Sequence, residues 1–230
     1  HLRLGQGSSL RHLRIATPGP MDRVAHHVHA RLDSGATYHQ GLVASGCEYH
    51  LQRSVIDLQG AQASSSTSGV LFAAGSTLEQ QVRTTQGAQR TSSRVDTLAL
   101  ASGTAHIVVN AHCRIDPGAD DAEVRQRLTG IPTDGQPKVV LRPHLEIHHD
   151  RVQAAHGATW GALPEEALFY AAQRGLDERE ARALIIEGMA SASLARCLET
   201  PGLMAELGVD RLLASTVARH LAGPTEACHG

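Results

Sequence analysis

Aromatic residues are scarce in this chain of 230 residues, which contains one Trp, three Tyr and two Phe. An enzyme that acts on polysaccharides needs stacking aromatic rings beside its acidic catalytic residues. Before residue 150 the aromatic residues are Tyr38, Tyr49 and Phe72. The composition therefore argues against a polysaccharide-acting enzyme.

Several motifs of catalysis and nucleotide binding are also missing. The chain has no GxxxxGK[ST] phosphate loop, so we do not expect it to hydrolyse ATP by itself. GxSxG, HExxH and GxGxxG are absent as well. The sequence thus predicts a protein that is not an enzyme.

Neither sign of charge is in excess, since 21 Lys and Arg stand against 23 Asp and Glu. No run of like charge suggests a nucleic-acid or membrane-surface partner. The apolar stretches are far shorter than the roughly 20 residues that a membrane-spanning helix needs. We expect neither nucleic acid nor a membrane among the partners.

The four cysteines are widely spaced, at positions 47, 113, 197 and 228, and no CxxC pair occurs. This spacing matches neither a disulfide framework nor a zinc ribbon. Reduced thiols are expected, and they favour a cytoplasmic location.

Short alternating stretches recur through the first 150 residues, and each ends in a Gly-Ala pair or a near equivalent. The four clearest are Leu32–Ala36, Ile56–Ala61, Thr84–Ala88 and Ile115–Ala119, with glycines 25, 27 and 31 residues apart. A period of this size is typical of a solenoid, in which glycine permits a tight corner. The period alone leaves a β-sandwich as an alternative fold. A sandwich would need several hairpin turns, however, and the hairpin signal Asp-Gly occurs just once, at Asp134-Gly135. We expect a narrow interior filled by Val, Ile, Leu and Ala.

Helical patterns replace this repeat after Thr159. Pro164 suits the first turn of a helix, and Asp177 with Glu180 forms a capping box for the next one. A continuous apolar stripe is predicted behind that cap, made of Ala181, Leu184, Ile185, Gly188, Met189, Ala192 and Ala195. A third helix is expected after Pro201-Gly202.

Three motifs near this change from strands to helices resemble those of a known family. They are PHLEI at 143–147, HGAT at 156–159 and LFYxxxRG at 168–175, and the match runs from about Val95 to about Ala195. This order resembles the SufB/SufD family of iron–sulfur cluster assembly proteins, and the HGAT form resembles its SufD-like members. The resemblance implies a right-handed parallel β-helix at 1–158 and a C-terminal helical region at 159–230. It also implies that the chain is the back part of a longer protein, without an additional N-terminal segment.

The resemblance further implies a non-catalytic subunit of a SUF-type scaffold. Such a subunit pairs with SufB through a β-helix edge, here near 139–147, and binds the SufC ATPase through its C-terminal helices. Glu165, Phe169, Tyr170 and Arg174 are the implied SufC contacts. No cofactor or metal is expected to stay bound, although a transient iron–sulfur cluster could form at the interface with SufB. The same open edge also allows a homodimer.

His156 matches a family residue that is implicated in cluster assembly. Its imidazole suits that task, because the neutral ring can ligate iron or relay a proton near cellular pH. The alternative is a structural hydrogen bond to the backbone at the β-to-α junction. Many SufD-like proteins have a cysteine two residues earlier, where this chain has Ala154, so sulfur binding would fall to SufB.

Histidine is abundant, with 15 residues, and it clusters at 26–29 and 144–149. His27 and His29 share one face of a strand and could touch one metal, as in a β-helical or cupin-like metal-dependent enzyme. We favour a solvated polar face, since the spacing matches no such ligand set. His144 and His148 are expected at the surface, and Glu146 is expected to point away from the flanking apolar residues. Phe169 and Tyr170 are expected to pack their helix onto the end of the solenoid.

Overall fold

The computed structural model describes residues 1–198 and 202–222. Its strands are β1 Leu2–Leu4, β2 Ser9–Ala16, β3 Arg23–Leu32, β4 Thr37–Ser45, β5 Tyr49–Leu58, β6 Ser64–Ala74, β7 Thr77–Gln86, β8 Ser92–Gly103, β9 His106–Ile115, β10 Ala122–Gly135, β11 Lys138–Ile147 and β12 Val152–Trp160. Its helices are α1 Glu165–Gln173, α2 Glu178–Leu198, α3 Leu203–Glu206 and α4 Val209–Ala222. Cys228 lies outside the described residues.

The strands alternate between two parallel sheets. The odd-numbered strands form one sheet in the order β1-β3-β5-β7-β9-β11, and the even-numbered strands form the other in the order β12-β10-β8-β6-β4-β2. Each coil therefore contributes one strand to each sheet and stacks on the coil before it. The parallel β-helix with helices after it, predicted from the glycine period and the family resemblance, is confirmed.

The Gly-Ala stretches form the corners between the two sheets. Gly35 and Gly118 have positive φ angles of 67° and 84°, a conformation that glycine adopts readily. Corners of successive coils are joined by backbone hydrogen bonds, such as the 2.9 Å bond from the Gly35 nitrogen to the Ala61 oxygen. Ala36, Ala63 and Ala119 beside the corners are fully buried. Small residues here allow the coils to stack closely.

The interior of the solenoid is only partly as predicted. Alternate residues of each strand point inward, and one cluster of them is apolar, including Leu71, Ala99 and Ile107. The interior also holds buried polar side chains that the sequence patterns did not indicate. Ser54 donates a 2.8 Å hydrogen bond to Gln40, and Thr97 donates a 2.9 Å bond to Gln80. The prediction of an interior filled by Val, Ile, Leu and Ala was therefore incomplete.

The helices form a layer on the outer face of the even-numbered sheet. Val43, Val70 and Leu98 of that sheet share one apolar cluster with Ile186 of α2 and Val217 of α4. The helical region predicted at 159–230 thus shares its core with the solenoid, and β12 continues to Trp160.

Among the described residues, no helix is both long enough and apolar enough to cross a membrane.

The predicted capping box of α2 is present, because Asp177 and Glu180 each accept a hydrogen bond from the other's backbone nitrogen. The predicted apolar stripe of α2, in contrast, was wrong. Leu184, Gly188, Ala192 and Ala195 are exposed, and the buried residues are Ala181, Ile186, Ala190, Ser193, Leu194, Cys197 and Leu198. Apolar residues surround much of this helix, so periodicity alone allowed more than one buried face. The observed face includes small polar residues, and the Ser193 hydroxyl lies 2.8 Å from the Ser68 hydroxyl.

Candidate functional site

The last coil of the solenoid presents two edge strands. Among the described residues, β11 pairs with β9 alone and β12 pairs with β10 alone. Backbone N–H and C=O groups along the outer edges of these strands can therefore pair with another chain. Ile147 and Trp160, at the ends of the two strands, are 44% and 54% exposed. We call β11 and β12 the open end of the solenoid, and the predicted edge at 139–147 is one half of it.

His156 lies in the middle of β12, opposite Gln126 of β10. Gln126 is buried inside the solenoid, where its amide donates a 3.3 Å hydrogen bond to the His144 backbone oxygen. Because paired residues point to the same face of a sheet, His156 continues the interior face but is exposed. In the part of the chain that the structure describes, no hydrogen bond joins its ring to another residue. The backbone hydrogen bond that the sequence left open for His156 is therefore not seen among the described residues, and its role in assembly stays a prediction.

Ala154 occupies the same face of β12 as His156, opposite Val124. Its methyl group offers no thiolate, so this face of β12 can supply one imidazole but no sulfur ligand. Cys113 of β9 is buried in the interior, where burial raises the pKa of its thiol to about 12. A thiol with such a pKa stays protonated at neutral pH and is a poor metal ligand.

A second cluster of histidines lies on the outer face of β9 and β11. Glu146 accepts a 2.8 Å hydrogen bond from His148 and lies 3.3 Å from the His112 ring nitrogen. The His112 and His144 rings are 4.8 Å apart. Burial, together with the charges of His144 and Arg83, lowers the pKa of His112. The hydrogen bond from His148 lowers the pKa of Glu146, which points outward as the alternation predicts.

The sequence patterns missed His112 because its nearest partners lie one coil away. His144 pairs with His112 only through the register of β11 on β9. At the other predicted cluster, His29 bonds to Asp57 at 2.7 Å, and His27 is exposed. Across residues 1–198 and 202–222, no three His, Cys, Asp or Glu side chains are arranged to hold a metal ion. The expectation that no metal stays bound remains a prediction.

The residues proposed for partner binding on α1 lie together on an exposed surface. Phe169 and Tyr170 are 66% and 59% exposed, and Glu165 in the first turn is exposed too. Arg174 stacks its guanidinium group 5.0 Å from the centre of the Tyr170 ring and donates a 2.8 Å hydrogen bond to the Tyr170 hydroxyl. The expectation that Phe169 and Tyr170 pack α1 onto the solenoid was wrong.

The buried side of α1 explains this correction. Its buried residue is Ala171, and Leu168 packs against the apolar cluster beneath the helices. Residues 168 and 171 are neighbours on one face of a helix, so the two aromatic rings between them point elsewhere. The largest side chains of α1 are consequently exposed.

The comparisons with known proteins agree with one another. The family model described as "SUF system FeS cluster assembly, SufBD core domain" matches residues 1–189. The chain is 37% identical over 84 residues to the iron–sulfur cluster assembly protein SufD of Escherichia coli (strain K12), which covers 32% of this chain and 20% of that protein. An iron–sulfur cluster assembly SufBD family protein of Mycobacterium leprae is 30% identical over 196 residues, covering 82% of this chain and 43% of that protein. The chain thus spans less than half the length of these relatives.

Proposed function

The chain belongs to the SUF-system iron–sulfur cluster assembly family with a SufBD core domain, and we propose that it is a SufD-like scaffold subunit without catalytic activity of its own. In this role it pairs with a SufB homologue through the open end and holds a SufC ATPase through its helices. Iron and sulfide are cargo that passes through the complex. The cytoplasm is the proposed location.

The open end is the observation that carries this proposal. Two parallel edge strands with exposed Ile147 and Trp160 offer backbone partners and apolar contacts at once. A second β-solenoid can continue both sheets across such an end. A homodimer uses the same surface, and SufB therefore competes with a second copy of this chain for it.

His156 is the residue of the open end that can take part in cluster chemistry. Its ring is exposed on the interior face of β12, so a partner strand added beside β12 brings its own side chains next to it. A neutral imidazole can ligate iron or accept a proton. Because Ala154 provides no thiol, the sulfur ligands for a transient cluster come from the SufB side.

The exposed surface of α1 supports the SufC contact. Aromatic residues and arginine are enriched at the centres of protein interfaces, and Phe169, Tyr170 and Arg174 form such a group. The Arg174–Tyr170 stack limits the freedom of both side chains before any partner arrives, which lowers the entropic cost of binding. Glu165 adds a charged group at the rim.

The alternative of a metal-dependent enzyme has less support. His29 and His148 each contact a carboxylate, and the described residues contain no three-ligand group. Each of these histidines is paired with one carboxylate on the sheet surface and does not belong to a set of metal ligands within the described part of the chain.

Co-purification with SufB and SufC homologues tests the proposal. The Ile147→Lys variant places a charge on β11 at the open end, and Ile15→Lys is its matched control, because Ile15 is 42% exposed on β2 at the opposite end of the solenoid. We expect Ile147→Lys to reduce SufB recovery about tenfold or more, as for an interface anchor, and Ile15→Lys to leave it unchanged. Equal recovery with both variants would remove the open end as the pairing surface.

A further inference from the structure

A cavity of about 740 Å³ lies at the free edge of β12, and residues from both faces of the even-numbered sheet line it, including Gln126 and His156 of the interior face. Strands β8, β10 and β12 line it, and Arg196 near the end of α2 closes one side. Pockets for small molecules have volumes of roughly 300 to 1,000 Å³. The cavity is therefore of a size to hold a ligand larger than a single phosphate ion.

The lining of this cavity is strongly basic. Arg94, Arg125, Arg127 and Arg196 contribute four guanidinium groups, and Asp96 is the acidic residue of the lining. Along β8 and β10 the arginines alternate with buried residues, so their side chains point outward to the cavity. A concave surface with charge of one sign concentrates its field and attracts ions of the opposite sign.

Arg94 and Arg125 lie directly opposite each other on neighbouring strands. Like charges in this position destabilise a sheet. Within residues 1–198 and 202–222, neither side chain makes a hydrogen bond or an ion pair. The pair therefore costs stability in the chain alone, and an anion bound between the two guanidinium groups removes that cost.

Asp96 holds the other two arginines in place. Its carboxylate, which is 14% exposed, lies 2.5 Å from Arg127 and 3.2 Å from Arg196. One carboxylate neutralises only one of the two charges, so the cavity remains basic. The shared contact also preorganises the two guanidinium groups, which reduces the cost of ordering them on a ligand.

The floor of the cavity is formed by small side chains of β12. Ala155 and Gly157 lie on its outer face, and a Cβ added to Gly157 would meet no heavy atom within 4 Å. Gln153 and Thr159 on the same face add neutral hydrogen-bonding groups. The arginines therefore surround a space that no side chain of β12 fills.

We propose that this cavity binds a small multivalent oxyanion. Guanidinium groups bind phosphate and carboxylate oxygens through paired hydrogen bonds, which suits both polyphosphates and polycarboxylates. The basic lining, the unneutralised Arg94–Arg125 pair and the volume favour such a ligand. His156 and Ala154 at the edge of β12 also line the cavity, but anion binding is measured on this chain alone and does not depend on the proposed scaffold role.

Isothermal titration of the whole chain with pyrophosphate tests the site, and a parallel titration with citrate distinguishes phosphate from carboxylate ligands. We expect saturable one-to-one binding of at least one of the two, weakened by added salt. Arg94→Gln and Arg125→Gln should each raise the dissociation constant about tenfold or more, as expected for lost charge-assisted hydrogen bonds. Arg53→Gln, an equal loss of charge on the exposed face of β5, should leave it unchanged.

Thermal melting provides a second measurement, which distinguishes anion binding by Arg94 and Arg125 from a purely structural role of these two arginines. Without ligand, Arg94→Gln and Arg125→Gln should melt at or above the temperature of the unaltered chain, because a like-charge contact is removed. The anion that binds should raise the melting temperature of the unaltered chain and of Arg53→Gln, but not of the two cavity variants. Absence of saturable binding for both anions, or a well-folded Arg125→Gln variant that binds as tightly as the unaltered chain, would overturn the proposal.

Discussion

Gly60 and Ser34 stack at adjacent corners of the solenoid with no room for a side chain between them. A Cβ added to Gly60 would lie 2.0 Å from the backbone nitrogen of Ser34. At the corner of the following coil, a Cβ added to Gly87 would meet its nearest atom at 3.6 Å, an ordinary contact. Two glycines of the same repeat therefore have different importance for stability.

Gly60→Ala is expected to lower the free energy of unfolding by about 2 kcal/mol or more, because the two corners must separate. Gly87→Ala should change it by less than about 1 kcal/mol and could raise it, since alanine restricts the unfolded chain. Urea unfolding followed by circular dichroism measures both. Equal destabilisation by the two substitutions would contradict this account of the corners.

His156→Ala should separate cluster assembly from folding. The ring makes no hydrogen bond among the described residues, so the melting temperature should stay within about 3 °C of the unaltered chain. SufB and SufC should still co-purify, while iron and sulfide measured anaerobically in the complex should fall. His27→Ala, which removes another exposed histidine, is the control. Normal iron and sulfide content with His156→Ala would show that the ring has no part in assembly.

The exposed aromatic pair of α1 gives a direct test of the SufC contact. Phe169→Ala combined with Tyr170→Ala should weaken SufC binding about tenfold or more, because truncating a buried interface anchor costs about 2 kcal/mol. Met21→Ala, which truncates an 80% exposed residue before β3, should have no effect. Calorimetric titration of SufC into each variant gives the dissociation constants. Unchanged binding by the double variant would move the contact away from α1.

Buried His220 should make stability depend on pH. Burial lowers its pKa to about 4, and the ring lies 2.7 Å from the Thr133 hydroxyl and packs edge-on against Phe72. The unfolded chain, with an ordinary histidine pKa near 6.5, binds a proton that the folded chain excludes. Stability contributed in this way is fully present above about pH 6.5 and decreases as the pH falls toward 4.

Between pH 7.5 and pH 5 this single group should cost about 2 kcal/mol of unfolding free energy. His220→Phe should reduce that loss, whereas His27→Phe at an exposed position should not. Urea unfolding at the two pH values provides the comparison. A His220→Phe variant with the same pH dependence as the unaltered chain would assign the effect to other groups. The pKa values of His12, His26, His50 and His112 are also lowered, chiefly by burial, so some dependence should remain.

The scaffold and metalloenzyme hypotheses differ in their response to a chelator. A stacked solenoid core requires no ion, so the purified chain should contain negligible metal and melt at the same temperature with and without EDTA. A histidine-bound metal would instead be retained and would stabilise the folded state. Elemental analysis with a stoichiometric metal, together with chelator-sensitive melting, would favour the enzyme.

The solenoid was predictable because its signal is local. Each corner needs a tight turn and a small neighbour, and both requirements appear directly in stretches such as Asp33–Ala36. The buried face of α2 was not predictable from periodicity, because apolar residues surround the helix and its contact face uses Ser193. His156 could be located only through the family motif, since nothing in the pattern of β12 distinguishes it from a surface residue.

Pairs that depend on register could not be predicted at all. His112 meets His144, and Arg94 meets Arg125, because residues one coil apart are aligned by the stacking of parallel strands. Coil lengths vary by several residues, so the sequence does not indicate which positions face each other. The cavity beside β12 was missed for the same reason.

The polar groups inside the solenoid have a consequence for how its two sheets are aligned with each other. An interior of aliphatic side chains alone would tolerate a strand that slides along the strand facing it in the other sheet, because apolar contacts have no direction. The Ser54–Gln40 and Thr97–Gln80 hydrogen bonds each join two consecutive strands across the interior, β4 to β5 and β7 to β8, so they form only when the two sheets are correctly placed against each other. A shift of one residue turns every inward side chain outward, and a shift of two leaves these buried amides without partners. The interior amides thus favour one placement of the two sheets during folding, at the expense of some apolar contact.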